Sequence, residues 1–274
     1  MIPVDGVEEE VLRYVPPELT VTITSSPSRG PEATLALAER LTGRGYKVVP
    51  HLAARLIADR DQLGELLARI RSMGIHEVFV VAGDLDEPLG PFEGAAALLK
   101  VMAELGHGLA EVGITGYPES HAFISDETTI QAMFEKAPYA TYIVSQICFD
   151  PAVIASWLRR VRARGVELPI YVGLPGPVDP VRLLRLSSRI GLGESARFLR
   201  GHGSWLRRLT LPRGYRPGSL LERLAPDLAE PDNRVAGVHL FTFNELEQAE
   251  DWRRTEVERL GGLAAPRDGS ATGG

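Results

Sequence analysis

The chain has 274 residues, of which 44% are hydrophobic and 24% are charged, and these proportions exclude a mainly disordered, collagen-like or coiled-coil protein. The net charge is −6, so no excess of positive charge favours a nucleic acid or an anionic membrane as a partner. The single cysteine, Cys148, excludes an internal disulfide, and we expect it to be a small buried residue. The sequence contains no apolar run of the ~20 residues that cross a membrane and no signal peptide, and we therefore expect a cytoplasmic protein.

Short apolar runs alternate along the chain with longer amphipathic stretches. Seven runs are typical of parallel strands that are buried on both faces: residues 20–24, 46–50, 77–81, 111–115, 141–145, 169–173 and 235–243. Apolar residues recur at helical spacing between them, over residues 32–41, 60–73, 92–104, 126–136, 151–164 and 180–190. A regular strand–helix alternation predicts a parallel sheet with right-handed crossovers.

This pattern predicts an α/β fold, a (β/α)8 TIM-type barrel. Its first strand, at residues 1–4, is truncated or degenerate, and extra helices within residues 193–231 precede the last strand. We expect one barrel domain over residues 1–261 and a disordered tail over 262–274, which is rich in Gly, Ala, Ser and Pro. An open, doubly wound sheet is the alternative, although no Gly-x-Gly-x-x-Gly turn follows the first strand.

Polar residues follow almost every predicted strand. They are Thr24, Ser25, Ser26, His51, Gly83, Asp84, Tyr117, Glu119, His121, Gln146, Asp150, Thr242 and Asn244. In a β/α barrel the carboxyl ends of the strands carry the active site. Because few positive charges occur at these ends, the mouth suits a neutral, polar, heteroaromatic ligand better than a phosphorylated sugar.

Several of these residues also have a purely structural interpretation. Asp84 could cap the next helix or a turn. His51 and His121 could be metal ligands, although no spacing typical of a metal site supports that. Asp150, followed by a proline, is typical of a helix N-cap. Gln146 stands among apolar residues, and its amide needs partners that a ligand could supply.

Read in order, the strand ends resemble the methylenetetrahydrofolate reductase family over roughly residues 20–244. The similar segments are Val21-Thr-Ile-Thr24, Pro50-His51-Leu52, Gly74-Ile75 with Ala82-Gly83-Asp84, Tyr117-Pro-Glu-Ser-His121, Ser145-Gln146-Ile-Cys-Phe149-Asp150 and His239-Leu-Phe-Thr-Phe-Asn244. The segment that starts at Tyr117 matches the family's Tyr-Pro-Glu-x-His motif closely.

The resemblance implies a flavin-dependent barrel that interconverts 5,10-methylenetetrahydrofolate and 5-methyltetrahydrofolate, with NADH or NADPH, in one-carbon metabolism and methionine biosynthesis. It implies that Asp84 and Gln146 act on the pterin of the folate and that Phe149 contacts the substrate. The FAD-binding residues that it implies are Thr24, His51, Gly83, Asp84, Tyr117, His121, Gln131 and Lys136.

Two departures from the family pattern matter. Ala82 stands where the family has an arginine before Gly-Asp, which removes a bidentate cation from a site for a diphosphate. The family's first strand also carries the glutamate proposed as general acid, whereas this sequence begins Met1-Ile2-Pro3. We therefore expect a codon for glutamate or aspartate just upstream. Glu8, Glu9 and Glu10 are substitutes for that acid, but such a run is typical of a solvated first helical turn.

Three alternatives stay open. One keeps the folate site without flavin and transfers hydride directly from a nicotinamide. Another is a non-catalytic folate- or flavin-binding protein, and the third is a metal-dependent barrel hydrolase. For each hypothesis that involves a folate, we expect a small-molecule partner and neither a nucleic acid nor a membrane. A homo-oligomer is compatible with each of these hypotheses.

Overall fold

A computed structural model of the chain describes residues 1–119, 133–178 and 217–264. Seven strands occur in these residues: β1 (Val21–Ile23), β2 (Val48–Ala53), β3 (Glu77–Val81), β4 (Glu111–Gly116), β5 (Tyr142–Ser145), β6 (Ile170–Pro175) and β7 (Val235–Phe241). The helices are α1 (Val7–Tyr14), α2 (Gly30–Gly43), α3 (Arg60–Ser72), α4 (Ala95–Glu104), α5 (Pro151–Ala163), α6 (Gly218–Ala229) and α7 (Leu246–Ala264).

The strands form one parallel sheet in which each strand pairs with the next along the chain, from β1 to β7. A doubly wound sheet instead reverses its strand order at a switch point. The open-sheet alternative is therefore wrong. The sequential order is that of a β/α barrel with one strand truncated, as the sequence predicts.

The predicted eighth strand at residues 1–4 is not a regular strand, but it fills the gap between the two edges of the sheet. On one side, the Met1 amino group donates to the Thr22 carbonyl (2.7 Å) and the Thr24 N–H donates to the Met1 carbonyl (2.8 Å). On the other, the Asn244 side chain accepts from the Ile2 N–H (2.8 Å) and donates to the Ile2 carbonyl (3.0 Å). The amide of Asn244 thus replaces a strand's peptide group and completes the ring.

The outer layer of the core lies between the sheet and the helices. On α3 the residues predicted to face inward are buried, namely Leu63, Leu66, Leu67 and Ile70. Asp150 caps α5 by accepting from the Ala152 N–H (2.8 Å), and Pro151 occupies the first helical turn, where a missing N–H costs nothing. The N-cap interpretation of Asp150 is confirmed.

Two glycines let aromatic rings and strands approach closely. A side chain at Gly113 would place its Cβ 2.4 Å from the Tyr142 ring and 2.5 Å from the Phe79 ring, inside the barrel. A Cβ at Gly116 would lie 2.5 Å from the Trp157 indole of α5, on the outer side. Glycine at both positions therefore sets how tightly β4 packs against the rings on its two faces.

The base of the barrel interior is a closed polar network. The Glu77 carboxylate lies 2.8 Å from the Lys47 ammonium and accepts a 2.8 Å hydrogen bond from the Tyr142 hydroxyl. The Tyr171 ring packs edge-on against Tyr142, with centroids 5.5 Å apart. The hydrogen bond and charge of Glu77 raise the pKa of Lys47, and burial, followed by the charge of Glu77, raises that of Tyr142.

Some boundaries differ from the sequence prediction. Strand β2 continues to Ala53, three residues past the predicted end, so it carries His51 within it. An extra helix before the last strand is confirmed as α6, and α7 runs to Ala264, beyond the predicted start of the tail. The predicted helix at 180–190 and residues 265–274 lie outside the described residues, as does most of the helix at 126–136, of which residues 133–136 are helical. Among the described helices, none is both long and apolar enough to cross a bilayer.

Candidate active site

A cavity of about 1300 Å³ opens at the carboxyl ends of the strands and continues down the barrel interior to Lys47 and Glu77. The predicted site residues that line it are Thr24, His51, Gly83, Asp84, Tyr117, Lys136 and Gln146. Residues 1–2 and 238–244 line the side where the sheet edges meet. The structure thus brings most of the predicted residues to one place.

Asp84 stands in the loop after β3, exposed to solvent at the rim of the cavity. It does not cap α4, because that helix begins after Gly94, ten residues further on, so the helix-cap interpretation is wrong. Gly83 precedes it with φ 93°, and a Cβ there would lie 3.2 Å from the Ala53 Cβ. The glycine allows the loop to turn over β2, which presents a carboxylate without a hydrogen bond or ion pair in the described part of the chain.

Arg55, just after β2, holds this loop in place. Its guanidinium donates to the carbonyls of Leu85 (2.8 Å), Glu93 (2.9 Å) and Asp86 (3.3 Å), and its backbone N–H donates to the Ala82 carbonyl (2.9 Å). These three hydrogen bonds to backbone carbonyls fix the course of the loop, so the guanidinium has a structural role. Arg55 therefore positions Asp84 without reaching the cavity.

Gln146 follows β5 and is half-buried at the cavity wall. Its backbone N–H donates to the Gly116 carbonyl (2.7 Å), which ties it to the end of β4. Its side-chain oxygen accepts from the Ile147 N–H (2.9 Å). The amide nitrogen has no acceptor among the described residues, so it remains able to donate to a ligand.

Two imidazoles face the cavity, His51 on β2 and His239 on β7. The His51 ring packs on Phe79 and the His239 ring on Phe241, each with centroids 4.8 Å apart. Burial, followed by nearby positive charge, lowers the pKa of His51 to about 3 and that of His239 to about 4. Both rings are therefore neutral at pH 7 and offer one donor and one acceptor each.

Lys136 is the cavity's buried cation, with only 7% of its surface exposed. Its ammonium donates to the Thr115 carbonyl of β4 (3.1 Å), and burial lowers its pKa to about 8. Tyr117 comes two residues after Thr115, and its pKa is raised by burial and by the negative charge of Asp84. A protonated amine, a phenol and a carboxylate thus share the β3–β4 side of the mouth.

A model of the methylenetetrahydrofolate reductase family matches residues 9–188, which is more than half of the chain and includes most of the residues that line the mouth. The chain belongs to the methylenetetrahydrofolate reductase family. Two solved barrels are also similar. A Ruminococcus gnavus sialic acid aldolase aligns at 14% identity and a TM-score of 0.42, over 62% of this chain and 56% of its own. A Fusobacterium nucleatum N-acetylneuraminate lyase in complex with pyruvate aligns at 11% identity and a TM-score of 0.45, over 94% of this chain and 70% of its own.

One wall of the cavity is formed by residues that the sequence analysis did not assign to the site. Residues His239 and Phe241 lie beyond the matched segment, yet they close the cavity beside His51. The signal for them was present, since the sequence of β7 resembles the family's closing strand. The alternation of inward and outward side chains along β7 could have identified His239 as an inward residue.

The remaining predicted residues do not join the described site. Phe149 is completely buried, follows the end of strand β5 at Ser145, and is not among the residues that line the cavity. Cys148 is buried as expected, and burial raises its pKa. Glu8 pairs with Arg40 on the outside of the barrel, which agrees with a solvated first turn. His121 and Gln131 lie outside the described residues.

Proposed function

We propose that the chain interconverts 5,10-methylenetetrahydrofolate and 5-methyltetrahydrofolate, with NADH or NADPH as the source of hydride and, as in its family, with FAD as carrier. The observation that supports this proposal most is a pair of polar groups at the mouth that have no partner among the described residues: the Asp84 carboxylate and the Gln146 amide nitrogen. Both line one cavity in a chain of this family. The partner is a small-molecule folate, and we place the reaction in the cytoplasm.

The two polar groups match the two kinds of edge that a pterin presents. The carboxylate of Asp84 accepts hydrogen bonds, as the amino group and ring N–H of a pterin require. The Gln146 amide nitrogen donates, as the ring carbonyl requires. The neutral rings of His51 and His239 add uncharged walls. Because Arg55 fixes the loop that carries Asp84, the acceptor is already in position before a ligand binds.

Flavin, when bound, supplies the hydride-carrying chemistry of this family. The described residues suit its ring, because Thr24, His51 and Tyr117 offer polar groups at the strand ends. They do not suit its diphosphate. Ala82 presents a methyl group, the Arg55 guanidinium is bound to backbone carbonyls, and the one unpaired lining cation in this part of the structure is Lys136.

Ala82 motivates a second candidate, in which hydride passes directly from a reduced nicotinamide to the folate and no flavin is held in the site. NADH and NADPH carry a diphosphate as well, so the missing arginine bears more on a resident flavin, which must stay bound between turnovers, than on a substrate that leaves after each one. The cavity of about 1300 Å³ is large enough for a folate and a nicotinamide ring to lie against each other.

The experiment is to purify the chain, record its visible absorbance before and after adding FAD and gel filtration, and assay NADH and NADPH oxidation with methylenetetrahydrofolate. A retained flavin band with turnover supports the flavoenzyme. Turnover by a colourless protein supports direct transfer. Tight folate binding without turnover, with either nicotinamide and with FAD, would contradict both candidates and identify a non-catalytic binding protein.

A further inference from the structure

The reduction needs an acid as well as a hydride donor. Opening the five-membered ring of methylenetetrahydrofolate requires a proton on the bridging nitrogen that leaves the methylene carbon. His51 and His239 are neutral at pH 7, so neither carries the additional proton that a general acid donates. Glu8 lies in an ion pair outside the barrel. The other titratable groups at this part of the mouth are Asp84, Tyr117, Glu119 and Lys136; Asp84 is proposed to hold the pterin, and Lys136 is the buried cation among them.

The position of Lys136 meets this requirement. Its ammonium is bound to the Thr115 carbonyl near the end of β4, and β4 lies between the strands that lead to Asp84 and to Gln146. Thr115 pairs with Val144, two residues before Gln146, and Ile114 pairs with Val80, four residues before Asp84. The amine therefore lies against β4, the strand between the two that lead to the groups proposed to hold the pterin.

The hydrogen bonds of Lys136 leave protons available. An ammonium has three donors, and the described structure shows one acceptor for them, the Thr115 carbonyl. No carboxylate of the described residues forms an ion pair with it, whereas Lys47 is matched by Glu77. Burying an amine this completely without a carboxylate costs free energy, and such a cost is typical of a functional group rather than of a structural one.

We infer that Lys136 is the proton donor of the reaction. This inference rests on the proposed function. The proton passes from Nζ to the bridging nitrogen, the bond from that nitrogen to the methylene carbon breaks, and its electron pair stays on the nitrogen. The resulting iminium carbon accepts hydride from the reduced nicotinamide, which leaves as its oxidised form. Water returns a proton to Nζ. In the oxidative direction the neutral amine takes the proton back.

The charged surroundings of Lys136 permit this role. The titratable groups that line its part of the cavity are Asp84, Tyr117 and Glu119. On its own helix Glu135 is exposed, and α4, which packs on the turn after it, carries the exposed Lys100 and Glu104. Burial is the cause of the lowered pKa of about 8. The amine is therefore mostly protonated at pH 7, yet it releases its proton more readily than an ordinary lysine.

The test compares Lys136→Gln, Lys136→Arg and, as a matched control, Lys100→Gln, which removes the same charge from an exposed helical position. We expect Lys136→Gln to lower kcat by ~10²–10⁴-fold with folate affinity within a few-fold of wild type. Lys136→Arg keeps the charge but cannot release a proton at these pH values, so we expect it to be as slow. Lys136→Ala should regain activity with added methylamine.

Two further readouts separate this role from others. Wild-type reduction should slow, and oxidation accelerate, as pH rises through about 8, and Lys136→Gln should lose both dependences. Lysine side-chain NMR, with only three lysines in the chain, should show one that titrates near this pH. A normal kcat in Lys136→Gln would overturn this inference and leave the proposed function standing. An activity retained in Lys136→Arg, or a raised KM for the nicotinamide at unchanged kcat, would indicate anion binding and would also overturn it. An inactive wild type would overturn the proposed function, and the inference with it.

Discussion

The mouth and the base of the barrel interior use polar residues in opposite ways. At the base, Glu77 holds both Lys47 and the Tyr142 hydroxyl, so each polar group finds its partner within the protein. At the mouth, Asp84 and the Gln146 amide nitrogen have no such partner in the described structure. Asp84 is exposed and Gln146 is half-buried, so water satisfies these groups until a ligand replaces it, whereas the buried groups at the base need their protein partners. The difference indicates that the base stabilises the fold and that the mouth is open to a ligand.

The largest effect should come from crowding the base. Gly113→Val would place side-chain atoms within 2.4 to 2.5 Å of the Tyr142 and Phe79 rings, and overpacking costs about 1–3 kcal/mol, or more where the neighbours are held as firmly as these rings are. We expect little folded protein, measured by circular dichroism and yield. Gly64→Ala on α3, where nothing lies within 4 Å, is the control and should stabilise the fold by about 1 kcal/mol. Equal behaviour of the two variants would contradict the packing described.

The mouth should show the reverse pattern, with a loss of function at constant stability. Asp84→Asn removes the carboxylate, and Gln146→Glu keeps the oxygen that accepts from the Ile147 N–H but removes the donor. Each should lower kcat/KM for the folate by about 10–100-fold, the value of one hydrogen-bonded ligand group. Urea unfolding should stay within about 0.5 kcal/mol of wild type. Normal kinetics in both variants would rule out the pterin assignment.

Removing one hydroxyl at the base should lower stability without changing function, and the loss should be smaller than that caused by Gly113→Val. Tyr142→Phe deprives Glu77 of its 2.8 Å hydrogen bond and should cost about 1–3 kcal/mol of unfolding free energy, since the carboxylate is buried. Folate kinetics per folded molecule should not change. If kcat fell while stability held, the base would belong to the active site and the contrast between the two regions would fail.

The smallest effect concerns the pH dependence of stability. The pKa values of His51 and His239 are lowered from 6.5 to about 3 and about 4, so below pH 6.5 the unfolded chain binds protons that the native mouth does not. Stability should therefore decline as pH falls from 6.5 towards 4. Urea unfolding across this range measures it, and His51→Gln and His239→Gln should each flatten the curve. A variant with the wild-type slope would show that its ring is not held neutral.

The sequence predicted the strands well, because apolar runs of this length are typical of parallel strands, and it predicted Asp84 and Gln146 at strand ends for the same reason. It could not predict contacts between distant residues. Tyr142 and Glu77 are 65 positions apart, and the sequence around either residue does not indicate that the two are in contact. Arg55 was missed because β2 was expected to end at residue 50, before the arginine comes into view. Phe149 lies beyond the end of β5, where strand alternation no longer indicates which way a side chain points, and it is buried away from the cavity.

The close packing of Trp157 on Gly116 makes the outer helix a sensor of the mouth. The indole is buried and lies against the glycine whose carbonyl accepts from the Gln146 N–H. A ligand that pulls on Gln146 therefore changes the surroundings of a fluorophore on the far side of the sheet. Tryptophan emission should report occupancy of the cavity directly, even for a compound that is bound and never turned over.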